Sequence, residues 1–234
     1  MTDRLAAAEA LLANLVGFAS ISGQPNGDIV NYIETYLESY GVIVHLDSHE
    51  DGQRFNLFAS IGPQIDGGIL LSGHLDVVPA NPAGWSRDPF VLHKQDGRLY
   101  GRGTADMKGF LAIALAMAPA FQEAASQLAK PVHLAFTFDE EVGSFGAAQM
   151  PSMMDRLGVK PAIAVVGEPT GMKPFIGHKG GLELIADIRG TAGHASDPRG
   201  TVNTLYYAAR LISHLEDKAR ALASQTRYNT PFDP

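Results

Sequence analysis

The sequence predicts an α/β fold with a mainly parallel sheet and helices on both faces, followed by the start of a smaller α+β domain. Helical periodicity alternates with short apolar runs from Ile69 to Val166, which is the strand–helix order of a parallel sheet. Two of the strand-like runs, Ile69–Ser72 and Ala162–Val166, are short and apolar, as expected for strands that are covered on both faces. After Ile176 closely spaced glycines mark a hinge. We therefore expect one domain over residues 1–177 and the start of a second over residues 178–234.

The predicted helices follow from amphipathic periodicity and from capping residues. Asp3 and Asn26 stand at cap positions of the first two, and an Ala-rich, largely buried helix contains Pro119, which can kink it. The five predicted helices are Asp3–Phe18, Asn26–Tyr40, Met107–Leu128, Ser144–Leu157 and Val202–Ala223.

The predicted strands are short runs bounded by turn residues. A hairpin is expected around Asp96-Gly97, a dipeptide that favours tight turns between strands. Its two arms are Val91–His93 and Arg98–Tyr100. The other predicted strands are Val42–Asp47, Asn56–Ile61, Ile69–Ser72, Val132–Phe138, Ala162–Val166 and Leu182–Arg189.

Composition excludes several classes of protein. The 234 residues carry a formal net charge of −7, which argues against a nucleic-acid surface, and 45% of them are hydrophobic, enough for a sizeable core. No stretch is long and apolar enough for a membrane span. Cysteine is absent, so any metal must take nitrogen and oxygen ligands. The absence of cysteine also fits a cytoplasmic protein, which is the location we expect.

Acidic and imidazole side chains follow the ends of three predicted strands, and a fourth stands at the mouth of a helix. In a parallel sheet, ligands bind beyond the carboxyl ends of the strands, so these side chains are expected to converge. A His-x-Asp pair has a specific use in metal sites. One imidazole nitrogen can bind the metal while the carboxylate accepts a hydrogen bond from the other ring N–H and so fixes the tautomer. The residues are His74 with Asp76, the pair Glu140 and Glu141, Glu168, and Asp106 before the helix.

Each of these residues also fits an ordinary role when it is taken singly. His74 and Asp76 are consistent with an ordinary surface turn. Glu140 and Glu141 are consistent with a solvent-exposed strand end, and Glu168 with a loop residue. Asp106 is consistent with an acidic residue that the dipole of a helix N-terminus stabilises. Four coincidences at corresponding positions of one sheet favour a shared metal site instead.

The chain resembles the dinuclear zinc aminoacylase and carboxypeptidase family. The motifs occur in order along nearly the whole chain: GHLDVVP (Gly73–Pro79), GRGTADMKG (Gly101–Gly109), DEEVGS (Asp139–Ser144) and GEPT (Gly167–Thr170). The resemblance implies a zinc-peptidase-like catalytic domain with two Zn²⁺ ions, for which Co²⁺ can substitute. It also implies a cis peptide bond at Ala105-Asp106.

The resemblance implies a role for each of the residues singled out above. His74 and Glu168 would bind one zinc ion, Glu141 the other, and Asp106 would bridge both. Asp76 would steady His74, and Glu140 would be the general base. One of the adjacent glutamates must be free of metal, because a carboxylate held as a ligand could not shuttle protons freely.

The segments HKGG (His178–Gly181) and RGTAGHAS (Arg189–Ser196) extend the resemblance into the second domain. They imply that His194, on a lid domain, stabilises the tetrahedral oxyanion, a donor typically worth about 3 kcal/mol. On composition alone, a surface role for this histidine is the better expectation. The implied partners are a small N-acyl amino acid and a second copy of the chain, joined through the lid.

The implied reaction is removal of the acetyl group from N-acetyl-L-ornithine, a step of arginine biosynthesis, by metal-bound hydroxide. Desuccinylation of N-succinyl-diaminopimelate and cleavage of dipeptides by a dipeptidase or carboxypeptidase are the alternatives. The family pattern also has a later zinc-ligand histidine, which none of the remaining histidines matches. We therefore expect a complete first metal site and a defective second one. An inactive fragment that binds metal or dimerises is the alternative of a different class.

Overall fold

The computed structural model describes residues 2–178, 180–181 and 184–224. Contacts divide the chain after Met172 into two compact units. The helices are α1 (Thr2–Gly17), α2 (Gly27–Glu38), α3 (Lys108–Glu123), α4 (Phe145–Leu157) and α5 (Thr204–Ala223). The strands are β1 (Val44–Ser48), β2 (Phe55–Ile61), β3 (Ile69–His74), β4 (His93–Gln95), β5 (Arg98–Tyr100), β6 (Val132–Thr137) and β7 (Ile163–Val166).

The first unit is built on a five-stranded sheet in the order β1-β2-β6-β3-β7. β3 lies parallel to both β6 and β7, whereas β2 is antiparallel to both its neighbours. Four of the five strands therefore point the same way. His74 lies opposite Thr137, and Ser72 lies opposite Val166, so β3, β6 and β7 end at the same edge.

The sheet is covered on both faces, which confirms the predicted fold class. Successive side chains of a strand point to opposite faces, and on β6 Leu134 and Phe136 join the cluster formed with α1, α2 and α3. Ala135, between them, packs with Met150 and Met153 of α4 on the other face. None of the helices in the described part of the chain has the length and apolar character that a bilayer crossing requires.

Lys108, at the first position of α3, is fully buried. Its ammonium group donates hydrogen bonds to the carbonyl oxygens of Leu15, at 2.9 Å, and Phe18, at 2.7 Å. Burial lowers the pKa of Lys108 to about 7, although attraction to Asp76 opposes the shift. The side chain thus joins the end of α1 to the start of α3 beneath the sheet edge.

Most predicted elements of the first unit form within a few residues of their expected bounds, with local differences. The hairpin β4–β5 turns at Asp96 and Gly97, whose φ angles of 50° and 73° are those of a type I′ turn. Asn26 does not cap α2 with its side chain. Instead, its amide donates to the carbonyl of Phe55 and accepts from the same residue's N–H. α3 ends at Glu123, earlier than predicted, and a 3₁₀ turn follows.

The second unit contains α5, which confirms the predicted helix. The side chain of Asn203 caps it by accepting a hydrogen bond from the N–H of Leu205 at 3.0 Å. The strand predicted over Leu182–Arg189 is not found at residues 184–189, and its first two residues lie outside the described part of the chain. Among the described residues of this unit, the bridge between Thr191 and Val202 is the only β pairing. An extended segment without a paired neighbour lacks the hydrogen bonds of a sheet ladder.

Candidate metal centre

The predicted side chains of the first unit leave the sheet at a common edge. His74 is the last residue of β3, Glu140 lies three residues after β6, and Glu168 lies two residues after β7. Asp106 lies two residues before α3. Parallel pairing of β3 with β6 and β7 brings these loops together, since all three strands end on one side.

Three of the predicted metal ligands, His74, Asp106 and Glu168, form a cluster whose nitrogen and oxygen donors all lie within 4.8 Å of one another. The Nε2 atom of His74 lies 3.1 Å from Oδ1 of Asp106 and 3.9 Å from Oε1 of Glu168. Donors at about 2.0–2.2 Å from a tetrahedral zinc ion lie about 3.3–3.6 Å from one another. The observed separations fall on either side of that range, so this donor set fits a divalent metal with nitrogen and oxygen ligands.

A hydrogen bond at Nδ1 orients the imidazole ring of His74. Nδ1 lies 2.9 Å from the backbone carbonyl oxygen of Asp76, which can only accept, so Nδ1 carries a proton and Nε2 faces the acidic cluster. Burial alone would lower the pKa of His74, but hydrogen bonds and attraction to Asp76 and Asp106 outweigh it and raise that pKa to about 9. Without a metal the imidazole is therefore protonated at neutral pH. A cation at the cluster would take the place of this proton.

The carboxylate of Asp76 joins two turns of the site. It accepts hydrogen bonds from the N–H groups of Glu140, at 3.0 Å, and Glu141, at 3.3 Å, and from the hydroxyl of Ser22, at 2.7 Å. Burial would raise the pKa of Asp76, but hydrogen bonds from His74, Ser22 and Glu140 lower it. Asp76 is thus charged at neutral pH, and it fixes the loop after β6 as well as His74.

The two glutamates of that loop are half-buried, and Glu141 is not one of the three clustered donors. Burial, followed by repulsion from Asp106, raises the pKa of Glu141. Burial also raises the pKa of Glu168, with further contributions from Asp106, Glu140 and Glu141. These carboxylates therefore repel one another across a shared space, and a dication there would relieve the repulsion.

His194 belongs to the second unit and is exposed. Its Nδ1 lies 2.7 Å from the hydroxyl of Ser196 and accepts from the N–H of the same residue at 3.2 Å. Its role at the oxyanion stays a prediction. The cis peptide bond lies at Asp106-Met107, one bond later than the expected Ala105-Asp106.

Several residues near the cluster were not among the predicted site residues, and none of them is one of its three donors. Arg54 and Gly23 bind the carboxylate of Asp139, the residue before Glu140. The ring of Phe110 lies over Gly167, the residue before Glu168. An acidic residue between a buried strand and the two glutamates indicates a buried carboxylate that needs a cation, but nothing in the sequence identifies Arg54 as that cation.

The fold and the cluster agree with a family match over residues 70–231 to "Peptidase family M20/M25/M40". The chain belongs to this family, and its class is that of the metal-dependent hydrolases. It is 37% identical over 229 residues to acetylornithine deacetylase of Proteus mirabilis, covering 94% of this chain and 57% of that protein. The chain thus spans somewhat more than half the length of this relative.

Solved structures of the family share the architecture. Human carnosine dipeptidase 1 is 25% identical with a TM-score of 0.59, over 70% of this chain and 39% of that one. An M20 family metallo-carboxypeptidase from Sulfolobus solfataricus is also 25% identical with a TM-score of 0.59, over 68% of this chain and 37% of that one. These similarities confirm the catalytic-domain fold that the sequence predicted.

Proposed function

We propose that this chain carries the metal-binding half of an enzyme that removes the acetyl group from N-acetyl-L-ornithine. The observation that carries the proposal is the cluster of His74, Asp106 and Glu168 at the carboxyl edge of the sheet. The substrate is suggested by the similarity to acetylornithine deacetylase of Proteus mirabilis. Because the chain spans 57% of that relative, the activity of a whole protein is part of the proposal.

The proposed roles combine the observed cluster with the family resemblance, which alone assigns Glu141 to a metal. His74 and Glu168 would hold one Zn²⁺ ion, Glu141 would hold a second, and Asp106 would be shared between the two. Asp76 keeps Nδ1 of His74 protonated, so that Nε2 is the nitrogen available to the metal. Bound zinc would polarise the substrate carbonyl and lower the pKa of water towards about 7.

Glu140 is proposed to accept the proton of the attacking water and to pass it to the leaving amine. Glu140, like Glu141, stands outside the three-donor cluster, and it is the family resemblance that assigns the proton-transfer role to Glu140. Its backbone N–H donates a hydrogen bond to Oδ1 of Asp76 at 3.0 Å, which limits how far the side chain can move from the cluster. A general base must lie within hydrogen-bond reach of the proton that it moves.

The remaining expectations belong to the same proposal. His194 would donate to the oxyanion, the complete protein would be a homodimer joined through the lid domain, and it would act in the cytoplasm on a small N-acyl amino acid. Co²⁺ would support activity in place of Zn²⁺. The second ion would bind weakly to this chain, because Glu141 and Asp106 are the only protein ligands that the proposal assigns to it.

Zinc titration of the purified chain tests the metal site. We expect one tight ion per chain, and we expect His74→Gln to weaken it by more than the roughly 10–100-fold that changes to outer-shell partners cost. His45→Gln, at an exposed position, is the matched control and should bind as the unchanged chain does. Two tight ions per chain would contradict the defective second site, and no tight ion would contradict the proposed metal centre.

Hydrolysis assays test the substrate. The chain, loaded with Zn²⁺ or Co²⁺, is given N-acetyl-L-ornithine, N-succinyl-diaminopimelate and a dipeptide, and release of the free amine is measured. Preference for the acetylated substrate supports the proposal. Preference for the dipeptide would favour the peptidase alternative, to which the structural similarity with human carnosine dipeptidase 1 points. Tight metal without turnover would favour a non-catalytic fragment.

A further inference from the structure

The loop that carries Glu140 and Glu141 is anchored by a buried carboxylate outside the three-donor cluster. This residue, Asp139, is 1% exposed and directly follows Phe138, which is also buried. Its Oδ1 accepts a hydrogen bond from the N–H of Gly23 at 2.7 Å, and its Oδ2 accepts one from the guanidinium of Arg54. A buried carboxylate is strongly unfavourable unless it is paired, and the guanidinium of Arg54 supplies that partner.

Arg54 is itself held in place from three sides. Its Nε donates to Oδ2 of Asp51 at 2.8 Å, and its guanidinium lies over the ring of Phe138, 5.7 Å from the ring centre. Asp51 in turn accepts hydrogen bonds from the N–H groups of Gln53 and Arg54, which closes the turn before β2. Arg54 is therefore a rigid support, because its position is set by the β2 side of the sheet.

The conformation of Asp139 explains why this support matters for the glutamates. Its φ of 53° is left-handed, which is uncommon for a residue with a side chain and persists only where the surroundings hold it. This turn directs the N–H groups of Glu140 and Glu141 towards the carboxylate of Asp76. The loop is thus held by Asp76 on the cluster side and by Arg54 on the opposite side.

We propose that Arg54 is a positioning residue that acts through Asp139 to fix the loop bearing Glu140 and Glu141. Its role in catalysis rests on the proposed function, in which Glu140 moves the proton. Arg54 contacts Asp51, Asp139 and Phe138, and none of the three clustered donors is among these partners. Loss of Arg54 should therefore disturb the glutamate loop and leave the three-ligand cluster intact.

The first experiment measures amide hydrogen exchange by NMR in the full chain carrying Arg54→Met. We expect the amides of Glu140 and Glu141 to exchange at least tenfold faster, while the amides of β3 keep their rates. Arg156→Met is the matched control, since it removes an exposed ion pair with Asp47 at 2.7 Å. Equal acceleration over the whole unit, or no acceleration at the two glutamates, would overturn the inference.

The second experiment follows turnover in the same variants loaded with zinc. Changes to outer-shell partners typically cost about 10–100-fold, and we expect that loss in kcat for Arg54→Met with KM changed less than threefold. Arg54→Lys should recover part of it, because an ammonium keeps the charge but cannot reach Asp51 and Asp139 with the same fork. An unchanged kcat in folded Arg54→Met would also overturn the inference.

If Arg54→Met fails to fold, a double variant keeps the question decidable. Arg54→Met with Asp139→Asn removes both charges, so no unpaired carboxylate stays buried. We expect it to fold with the glutamate amides still exchanging fast; slow exchange at these amides in the folded double variant would overturn the inference. A chain without any turnover would count against the proposed function alone, since the exchange measurement judges Arg54 independently.

Discussion

Gly167→Ala should disturb both stability and metal binding, because the ring of Phe110 occupies the space that a side chain would need. A Cβ atom at Gly167 would lie 2.0 Å from Cγ of Phe110 and 2.3 and 2.4 Å from two further ring atoms. Ordinary contact begins at 3.4 Å, so the nearest approach falls short by about 1.4 Å. The atom involved is the ring carbon closest to the helix backbone, which a small side-chain rotation cannot move out of the way.

Two movements can relieve this steric overlap. Either α3 moves away from the end of β7, or the segment at Gly167 moves, although its N–H is hydrogen-bonded to the carbonyl of Ser72 at 3.1 Å. Overpacking of this kind typically costs about 1–3 kcal/mol. For a chain of this size that corresponds to a fall in Tm of about 2–12 °C. Movement of α3 would displace Asp106, and movement of the segment at Gly167 would displace Glu168. Either change disturbs the three-donor cluster, so zinc affinity should fall about tenfold or more.

Thermal unfolding followed by circular dichroism, with zinc affinity from chelator competition, measures both effects. Gly27→Ala is the control, because nothing lies within 4 Å of its Cβ position and its φ is not in the left-handed range. It should leave Tm unchanged or raise it slightly. Phe110→Ala combined with Gly167→Ala should show a favourable coupling of about 0.5–3 kcal/mol. Wild-type Tm and zinc affinity in Gly167→Ala would refute the argument.

Two further predictions concern buried basic groups of the first unit. Burial lowers the pKa of His133, whose ring contacts Ser60 and Gly67, so the unfolded chain takes up a proton near pH 6.5 before the native one does. The contribution of His133 to stability should therefore be complete above that pH and be lost below it, by at most about 1.4 kcal/mol per pH unit. His133→Gln should flatten this part of the curve in urea titrations, and an identical slope would show that His133 is not its source. Lys108→Met should lower the free energy of unfolding by about 1–3 kcal/mol, because the carbonyl groups of Leu15 and Phe18 lose their donor. An unchanged urea midpoint would contradict this prediction.

The elements of the first unit could be predicted because their information is local. β3 begins with the apolar run Ile69–Leu71 and β6 contains the apolar run Leu134–Phe136, and such runs form strands that are covered on both faces. The hairpin at Asp96-Gly97 is equally local, because two successive residues with positive φ define its turn. The predicted strand over Leu182–Arg189 fails at residues 184–189 for the converse reason, since a strand exists only where a neighbour pairs with it.

The convergence of His74 and Glu168 could be predicted because chain order and strand direction together decide where these side chains meet. His74 and Glu168 follow strands that run the same way, so their loops share an edge. The supports around them could not be predicted in this manner. Arg54 and Asp139 lie 85 positions apart, and Lys108 lies 93 positions from Leu15. No pattern in the sequence joins such pairs.

The order of helices and strands, the mainly parallel sheet and the placement of His74, Asp106 and Glu168 at its carboxyl edge were determined by the sequence itself, through hydrophobic periodicity and strand direction. Only the tertiary structure decided which groups support that edge. Arg54 pairs with Asp139, and Asp76 accepts hydrogen bonds from the loop of Glu140 and Glu141. The ring of Phe110 packs against Gly167. The physical reason is that burial and ion pairing depend on distances in space, which form only after distant segments pack together.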